Sequence, residues 1–557
     1  MKKECDVLVF FGAGATALLN APVTDKQENF FRCLCGEGPI KERLEEFVKE
    51  NFKNKKIKKD FLEDIERTLT ILYDGNGVER ECEARENKIS QLENYFGLFE
   101  KEFQLQRKRK ASLEHFYYVY VLPYFDWLAF KSIVQDLSKF SDRFSIQDVL
   151  SILTKGSLEG ISIPTSEVFR EEKKRTLGIY VNYPQRLSGA LNVYKLLVFK
   201  LFKHLLRDFA ESYSVENVIR KYREFSENLV KYGIENVNDI QSILKFATLN
   251  WDPLFPFFLL RSVRDINQNC EYWQKKRFYL NYGSPFKVVK LSTEEKSLRS
   301  LYIIDEDAAF YSKLLSEEYK LCNLETYILK FYSPHGLMNM RVCPRCKNIF
   351  LIFPNDVGKL GFKEFLDIFL LDPIPSRLDM KRMKKYKLFD LSDLNPSQIN
   401  CPYCGTPTYF MDTFLQIQSI LKPKDPPAIE KSYFDYAVSF ADSGHLLFIG
   451  YSFPIDDIPH LLTLLTLGVN ASNSGEIERK FSLVLYNPKI KVKKWMSYKE
   501  ACKYLTNIGE EGRRDLGTLE NVLKLARKDS IRVSFSGFPG ILKEIGFKDI
   551  IKWSFPM

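Results

Sequence analysis

Two closely spaced cysteine pairs are the residues whose chemistry is easiest to infer. Cys343-Pro-Arg-Cys346 and Cys401-Pro-Tyr-Cys404 each hold two thiols in one short turn. Such a turn can direct two thiolates at one zinc ion, and two turns complete a tetrahedral site. Four sulfur ligands leave no open position, so we expect this zinc to stabilise structure without taking part in a reaction. The alternative is four partly buried free cysteines, because the segment between the pairs exceeds a usual zinc loop.

A glycine turn near the beginning of the chain is a candidate phosphate-binding site. Gly12, Ala13 and Gly14 follow a continuous apolar run, and the pattern extends to Ala17. Glycines let the backbone turn tightly and approach the pyrophosphate of a dinucleotide. The alternative is a tight strand-to-helix turn without a ligand. No acidic residue follows a second strand about twenty positions later, so the turn does not indicate an ordinary dehydrogenase.

Further polar residues follow other apolar runs of the chain. They occur in Thr248-Leu-Asn250-Trp-Asp252, His335-Gly336, Gly450-Tyr-Ser452 and Asn487-Pro488. A histidine can accept a hydroxyl proton near neutral pH, and the chain has only 5 histidines. A rigid asparagine can position water or a sugar against a reacting carbon. The structural alternatives are a loop histidine before a zinc turn and an asparagine that caps the following helix.

In their order along the chain, these motifs resemble those of the sirtuin family. The resemblance implies a Rossmann-like domain that binds NAD, together with a structural zinc module. The residues that it assigns are the following: Gly12, Ala13, Gly14 and Thr16 on the pyrophosphate, Asn250 and Asp252 in the nicotinamide-ribose pocket, His335 as general base, Gly450, Ser452 and Asn487 on the adenosine half, and Cys343, Cys346, Cys401 and Cys404 on zinc. Asn250 and His335 are the catalytic candidates.

Two departures separate the chain from the protein-deacylating sirtuins. Residues 21–31 replace the Gly-Ile-Pro-Asp-Phe-Arg cofactor loop of those enzymes, and residues 406–414 keep little of their acyl-lysine channel. The large helical insertions instead resemble the sirtuin-like NAD hydrolases of prokaryotic antiphage systems. We therefore expect an NAD glycohydrolase that releases nicotinamide and ADP-ribose as a regulated antiphage effector. The alternatives are an NAD-dependent lysine deacylase and a non-catalytic module that binds nucleotide or nucleic acid.

Control of such an activity is expected from its chemistry. A freely active NAD hydrolase would harm its own host, so we expect it to be restrained by homo-oligomerisation, a regulatory protein partner or an occluding segment. The helical block 40–240 and the tail 490–557 have no counterpart in the resemblance. These two segments are therefore the expected places for regulation.

Composition indicates a globular protein with a modest positive charge. The chain has 82 basic and 72 acidic residues, a net charge of +10, and 14% aromatic residues. The aromatic content argues against long disorder, and the charge permits nucleic acid without requiring it. Basic runs at 53–59, 107–110 and 381–387 have acidic neighbours, so we interpret them as solvated faces rather than as a nucleic-acid surface.

The sequence predicts neither a membrane span nor export. No apolar run reaches the roughly 18 residues that a membrane span needs. The best candidate, 191–209, contains Lys195, Lys200, Lys203 and His204 and reads as an amphipathic core helix. The first residues lack a secretory pattern, and the 11 cysteines do not form a disulfide framework. We therefore expect a cytoplasmic protein.

The apolar runs predict an α/β fold with a parallel sheet and large helical insertions, and the cysteine turns and the sirtuin resemblance add a zinc-ribbon module and a Rossmann-like arrangement of that sheet. The expected strands lie at 6–11, 246–250, 327–332, 445–449 and 481–486, with another at 531–535. Strands separated by long helical segments are typical of a parallel sheet. Residues 255–325 read as irregular or helical.

Six consecutive segments follow from these elements. They are the first part of the Rossmann domain (1–38), a helical insertion (39–240), the continued Rossmann domain with the catalytic Asn and His (241–342), a zinc module with an insertion (343–410), a further Rossmann part (411–489) and a C-terminal helical segment (490–557).

Overall fold

The structure is a computed structural model of the 557-residue chain. It describes residues 6–19, 21, 24–36, 39–72, 125–140, 149–150, 152–154, 183–211, 215–238, 241–269, 276–281, 287–291, 302–304, 325–354, 366, 399–408, 412–415, 427–454, 457–458, 461–462, 464–465, 479–490, 492 and 494–551. None of the helices in these ranges is both long and apolar enough to cross a membrane. The basic runs at 107–110 and 381–387 lie outside the described residues.

Of the described elements, seven α-helices lie between the first two strands, and nine strands lie between the helices Leu254–Asn269 and Pro427–Asp442. The strands are β1 Val7–Phe11, β2 Val237–Asn238, β3 Gln241–Thr248, β4 Lys276–Asn281, β5 Lys287–Leu291, β6 Tyr302–Ile304, β7 Glu325–Tyr332, β8 Gly336–Val342, β9 Ile349–Pro354, β10 Ile399–Asn400, β11 Pro407–Thr408, β12 Thr413–Leu415, β13 His445–Ile449, β14 Lys480–Val484, β15 Met496–Ser497 and β16 Ile531–Ser534. The helices are α1 Ala13–Thr16, α2 Thr24–Cys35, α3 Ile40–Asn51, α4 Lys55–Leu72, α5 Trp127–Phe140, α6 Tyr183–Ala210, α7 Val215–Glu235, α8 Leu254–Asn269, α9 Pro427–Asp442, α10 Tyr498–Asn507, α11 Arg513–Val522, α12 Ile541–Glu544 and α13 Phe547–Ile551.

The main sheet is mixed and mostly parallel, with β1 near its centre. Its strand order is β15-β16-β14-β13-β1-β3-β7-β4, and β2 pairs with β3. The strands from β16 to β4 are parallel to one another, whereas β15 and β2 pair antiparallel. The chain leaves β1 towards β3 and later returns to β13 on the other side, which makes the β1–β13 boundary the topological switch point. In sheets of this type, ligands bind beyond the carboxyl ends of the strands at that boundary.

The apolar run of β1 is buried on both faces of the sheet, as its composition predicts. Val9 and Phe11 belong to the core on one face, and Phe10 belongs to the core on the other. The Phe11 ring stacks on Phe255 of α8 at a centroid distance of 3.6 Å, and Phe10 stacks on Phe448 of β13 at 4.7 Å. Phe10 also packs edge-on against Phe440 of α9 at a centroid distance of 5.6 Å. Helices therefore cover both faces, which explains why the strand tolerates no polar side chain.

A helical lobe packs on the first of these faces. Its core is a cluster of rings from α2, α3, α4 and α6, in which Phe30, Phe31, Phe61 and Tyr194 are fully buried. The expectation that α6 is amphipathic is wrong, because Lys195, Lys200, Lys203 and His204 are all buried. Buried charges require partners, and Asp64 of α4 provides one for three of them.

A smaller five-stranded sheet carries the first cysteine turn. Its order is β12-β8-β9-β5-β6, with β8 following β7 through a short turn. The expectation that 255–325 is irregular or helical fails for β4, β5 and β6. β4 and β6 are edge strands, which need no continuous apolar run, so their hydrophobic signal is weak.

The C-terminal segment adds to the main sheet. The predicted strand at 531–535 is confirmed as β16, which pairs in parallel with β14. The helices α10 and α11 pack beside it, and their residues Ala501, Leu505, Leu519 and Val522 are fully buried in the core of the second face. The segment, which was expected to be helical with one possible strand, therefore supplies part of the sheet.

Candidate active site at the carboxyl ends of the parallel strands

The glycine turn lies against the residue that follows β13. The Gly14 amide donates to the Gly450 carbonyl across 2.8 Å, and the Gly12 amide donates to the Ile449 carbonyl across 2.9 Å. A Cβ atom on Gly12 would lie 2.5 Å from the Gly450 oxygen. Gly450 has a φ of +65°, and its own Cβ would lie 2.1 Å from the Ala15 nitrogen. The two chain segments approach so closely at the switch point that a side chain at Gly12 or Gly450 would clash with the backbone. This packing alone explains why glycines occupy these positions.

Asn250 joins the end of β3 to the same turn. Its Nδ2 donates to the Gly12 carbonyl across 2.9 Å and contacts the Thr16 hydroxyl at 3.4 Å. Its backbone amide donates to the Thr248 hydroxyl. Asn250 is half-buried, so one side of its side chain faces the turn while the residue still borders the cavity above the sheet.

Thr16 and Asp252 form a buried pair beneath the turn. The Thr16 hydroxyl donates to Asp252 Oδ2 across 3.0 Å, and Asp252 Oδ1 accepts the Leu254 amide at the start of α8. Burial raises the pKa of Asp252 to about 6, although these hydrogen bonds oppose the shift. Neither residue is among those that line the cavity. Both were predicted to contact NAD. In the structure, Asp252 binds the Leu254 amide at the start of α8, and Thr16 contacts the Ala13 carbonyl of the glycine turn.

His335 lies on the turn that connects β7 to β8. Its Nδ1 is 3.1 Å from the Leu249 carbonyl, and its side chain is buried while bordering the cavity. A carbonyl oxygen only accepts hydrogen bonds, so Nδ1 carries the proton. In the neutral imidazole, Nε2 then holds the lone pair of a potential base. Gly336 follows at a φ of +75°, which turns the chain sharply into β8.

Residues after β13 and β14 continue the same edge of the sheet. Asn487 is buried, and its Nδ2 donates to Asp515 of α11 across 2.7 Å. Burial raises the pKa of Asp515, although the hydrogen bond from Asn487 opposes the shift. Ser452 is exposed, and its carbonyl accepts the Thr518 hydroxyl across 3.0 Å. Helix α11 of the C-terminal segment therefore contacts both of these predicted residues, Asn487 through Asp515 and Ser452 through Thr518.

One cavity of about 910 Å³ connects most of the predicted residues. Its volume is within the range of small-molecule sites. The predicted residues that line it are Gly12, Ala13, Gly14, Asn250, His335, Gly450, Ser452 and Asn487. These residues follow β14, β13, β1, β3 and β7, which are consecutive neighbours in the sheet. At about 4.8 Å per strand, they extend across roughly 19 Å.

Sequence reasoning did not identify several cavity residues. Lys221 comes from α7 in the helical insertion, Arg514 and Asp515 come from α11, and Tyr486 precedes Asn487. Tyr486 is 71% exposed, which is unusual for an aromatic residue next to a buried strand. The position of Tyr486 directly before the Asn487-Pro488 motif could have indicated that it lies in the cavity. The other residues reach the cavity only through tertiary packing, for which the sequence carries no local signal.

The four cysteines meet at one point, as predicted. The Sγ atoms of Cys343 and Cys404 are 3.5 Å apart, those of Cys346 and Cys401 are 3.6 Å apart, and all four lie within 4.8 Å of one another. A tetrahedral zinc with sulfur ligands at about 2.3 Å separates those sulfurs by roughly 3.8 Å. The cluster therefore fits a structural zinc ion.

The two cysteine turns have matching backbones. The amide of the residue after the second cysteine donates to the carbonyl of the first, from Lys347 to Cys343 and from Gly405 to Cys401. Lys347 and Gly405 both have positive φ values, 60° and 73°. This repeated conformation directs both sulfurs of each turn to the same side, which is the requirement of a shared metal.

The arrangement can hold an extended ligand across the ends of five neighbouring strands. The cavity offers a fixed imidazole at one end, a glycine turn in the middle and the hydrogen-bonded pair of Asn487 and Asp515 at the other end. Compared with known proteins, the chain matches no protein-family model and no curated protein sequence.

Proposed function

We propose that the protein is an NAD glycohydrolase that splits NAD and water into nicotinamide and ADP-ribose. The observation that carries the proposal is the order of the cavity residues along five adjacent strands, from Asn487 after β14 to His335 after β7. NAD is a linear molecule with a base at each end and a pyrophosphate between them. The proposed orientation puts the adenosine over β14, the pyrophosphate over β1 and β13, and the nicotinamide ribose over β3 and β7.

His335 supplies the base in this reaction. The bond between the ribose carbon and the nicotinamide nitrogen breaks, nicotinamide leaves with the electron pair, and positive charge develops on the ribose. Water attacks that carbon, and its proton passes to Nε2 of His335. The hydrogen bond between Nδ1 and the Leu249 carbonyl supports this role because it fixes both the tautomer and the ring orientation.

Asn250 positions the nicotinamide ribose opposite His335. Its Nδ2 is fixed on the Gly12 carbonyl, so the side chain is held rigidly at the cavity border. A preorganised polar group of this kind lowers the cost of orienting ribose or water for attack. At the other end, the exposed ring of Tyr486 offers a surface on which adenine can stack.

The helical lobe argues against a peptide substrate. In the deacylase alternative, a strand near 406–414 would have to pair with an acyl-lysine peptide. Lys195 of α6 donates to the Thr413 carbonyl of β12 across 2.8 Å, so the lobe contacts the edge strand of the smaller sheet. We therefore favour water over an acyl-lysine side chain as the acceptor of the ribose.

Product analysis tests the assignment of the acceptor. Purified protein incubated with NAD and no peptide, with phage-infected cell extract added as trigger where NAD alone gives no turnover, should release nicotinamide and free ADP-ribose in equal amounts. If nicotinamide appears only when an acyl-lysine peptide is added, together with acyl-ADP-ribose, the deacylase reading replaces the hydrolase. Tight NAD binding without any turnover would favour the non-catalytic module.

We further propose that the hydrolase is a regulated antiphage effector. The proposal is supported by the cost to the host of unrestrained NAD loss and by the contact of the helical insertion with the cavity through Lys221. Cells that express the protein should keep their NAD until phage infection and lose it afterwards. Equal NAD loss with and without infection would contradict regulation.

A further inference from the structure

The glycine turn has few backbone donors left for an anion. The amides of Gly12, Gly14 and Ala15 donate to the carbonyls of Ile449, Gly450 and Gly12 at 2.8 to 2.9 Å. A pyrophosphate over this turn therefore requires much of its countercharge from a side chain. The helix that follows the turn has only 4 residues, so it offers little help.

Helix α7, which packs against the turn, supplies a cation to the cavity wall. The Tyr222 hydroxyl donates to the Ala15 carbonyl across 2.6 Å, which fixes α7 against the turn. Burial raises the pKa of Tyr222, so its hydroxyl stays protonated as a donor. Its ring contacts Phe258 of α8 and Phe538, with centroid distances of 5.6 and 4.9 Å. Lys221 directly precedes this anchor and lines the cavity together with Val218, which lies three residues earlier on the same face of the helix.

The other cations of the cavity wall lie near carboxylates. Lys489 forms an ion pair with Glu511 at 3.4 Å, and Arg514 interacts with the neighbouring Asp515. No ion pair or hydrogen bond joins the Lys221 ammonium to another residue in the described part of the chain. Lys221 is only half-buried, so its flexible side chain can reach a ligand in the cavity.

We infer that Lys221 binds the pyrophosphate of the dinucleotide, so that the helical insertion completes the substrate site. The inference rests on the proposed function and adds to it a binding residue that lies outside the glycine turn. A lysine acts on phosphate as a mobile point charge, which suits a ligand whose charge is spread over two phosphates. The position of α7 beside Ala15 agrees with a pyrophosphate at the middle of the cavity.

Calorimetric titration of ADP-ribose into the purified protein tests the inference. Lys221→Met should weaken binding about 10- to 100-fold, because one charge-assisted contact is lost. Lys221→Arg should bind within about threefold of wild type, because the positive charge remains. Lys231→Met is the matched control: Lys231 is on the same helix, is exposed, and pairs with Glu227 at 2.6 Å. The control should bind like wild type.

The salt dependence of binding gives a second reading. Wild type should lose ADP-ribose affinity more steeply with added salt than Lys221→Met does. Unchanged affinity and salt dependence in Lys221→Met, with normal binding by wild type, would overturn the inference and leave the proposed function standing. If wild type binds neither ADP-ribose nor NAD, both fail together.

Discussion

Asn250 donates its side-chain amide to the Gly12 carbonyl across 2.9 Å, so the end of β3 is tied to the glycine turn that follows β1. These residues are 238 positions apart in the chain. The contact gives Asn250 a structural role in addition to its proposed role on the ribose. A substitution at Asn250 therefore changes both stability and turnover, and the two effects need separate measurement.

Asn250→Ala should abolish nicotinamide release and lower the free energy of unfolding by about 1–2 kcal/mol, because the hydrogen bonds of Nδ2 to the Gly12 carbonyl and the Thr16 hydroxyl are lost. Asn236→Ala is a matched control. The Asn236 side chain also donates to a backbone carbonyl, that of Tyr232 at 2.8 Å, and it does not line the cavity. The control should lose similar stability and keep full turnover. Equal loss of turnover in both variants would mean that Asn250 acts only through the fold.

Asp252 should make stability depend on pH in a defined window. Burial raises its pKa to about 6, so between its ordinary value near 4 and about 6 the folded protein binds a proton that the unfolded chain has released. The stability that this bound proton contributes to the folded state is fully present below about pH 4 and is lost as the pH rises through about 6.

Asp252→Asn removes the titration but keeps an acceptor oxygen for the Leu254 amide, and its N–H2 group can donate to the Thr16 hydroxyl oxygen. Its melting temperature relative to wild type should therefore rise from about pH 4 to pH 7, as scanning calorimetry at several pH values would measure. A difference that is constant over this range would contradict the raised pKa.

If the four cysteines bind zinc, the metal should be present in a fixed ratio to the chain and should stabilise the fold. Purified protein should contain about one zinc per chain, and Cys401→Ser should lose it and melt at a lower temperature. Cys502→Ser is the control, because Cys502 is half-buried on α10 and lies outside the cysteine cluster. Elemental analysis that finds no zinc in wild type, with unaltered melting of Cys401→Ser, would disprove the site.

Asp64 should be essential to the helical lobe. It is fully buried, with Oδ1 at 2.9 Å from Lys200 and Oδ2 at 2.9 Å from His204. Burial alone would raise its pKa, but Lys200, Lys203 and His204 outweigh burial and hold the pKa well below its ordinary value.

Asp64→Asn leaves the buried ammonium groups without this carboxylate, and we expect a loss of about 3–5 kcal/mol in chemical denaturation. Glu63→Gln removes an exposed carboxylate from the same helix, and its effect should stay below about 1 kcal/mol. Comparable stability of the two variants would show that Asp64 is not required.

Much of the main sheet could be predicted because its strands are continuous apolar runs. The run before Gly12 and the run at 445–449 are both fully buried, so burial on two faces left a clear pattern in the sequence. The cysteine turns were equally clear, because their metal chemistry fixes residue type and spacing within each turn. Edge strands such as β4 are exempt from this constraint, and the sequence did not reveal them.

Only those residues of the site that come directly after a strand could be predicted from the sequence. Asn250, His335 and Asn487 each come after a strand, and parallel strands end at one edge of the sheet. Tyr222 reaches the turn, and Lys221 reaches the cavity, from a helix more than 200 residues away in the chain, and no local pattern reports such contacts. The pairing of Thr16 with Asp252 is also tertiary, which is why both were expected in the pocket and lie beneath it.

His335→Asn provides the most direct test of the central claim. The asparagine amide can keep the hydrogen bond to the Leu249 carbonyl, as Nδ1 of His335 does, while the lone pair of Nε2 is lost. NAD turnover should be measured for wild type and His335→Asn, with nicotinamide and ADP-ribose quantified and with zinc content and melting temperature compared. We predict release of both products by wild type and a loss of about 100-fold or more in His335→Asn, with the fold intact. Turnover by His335→Asn at the wild-type rate, or no turnover by wild type even with phage-infected cell extract added, would contradict the account.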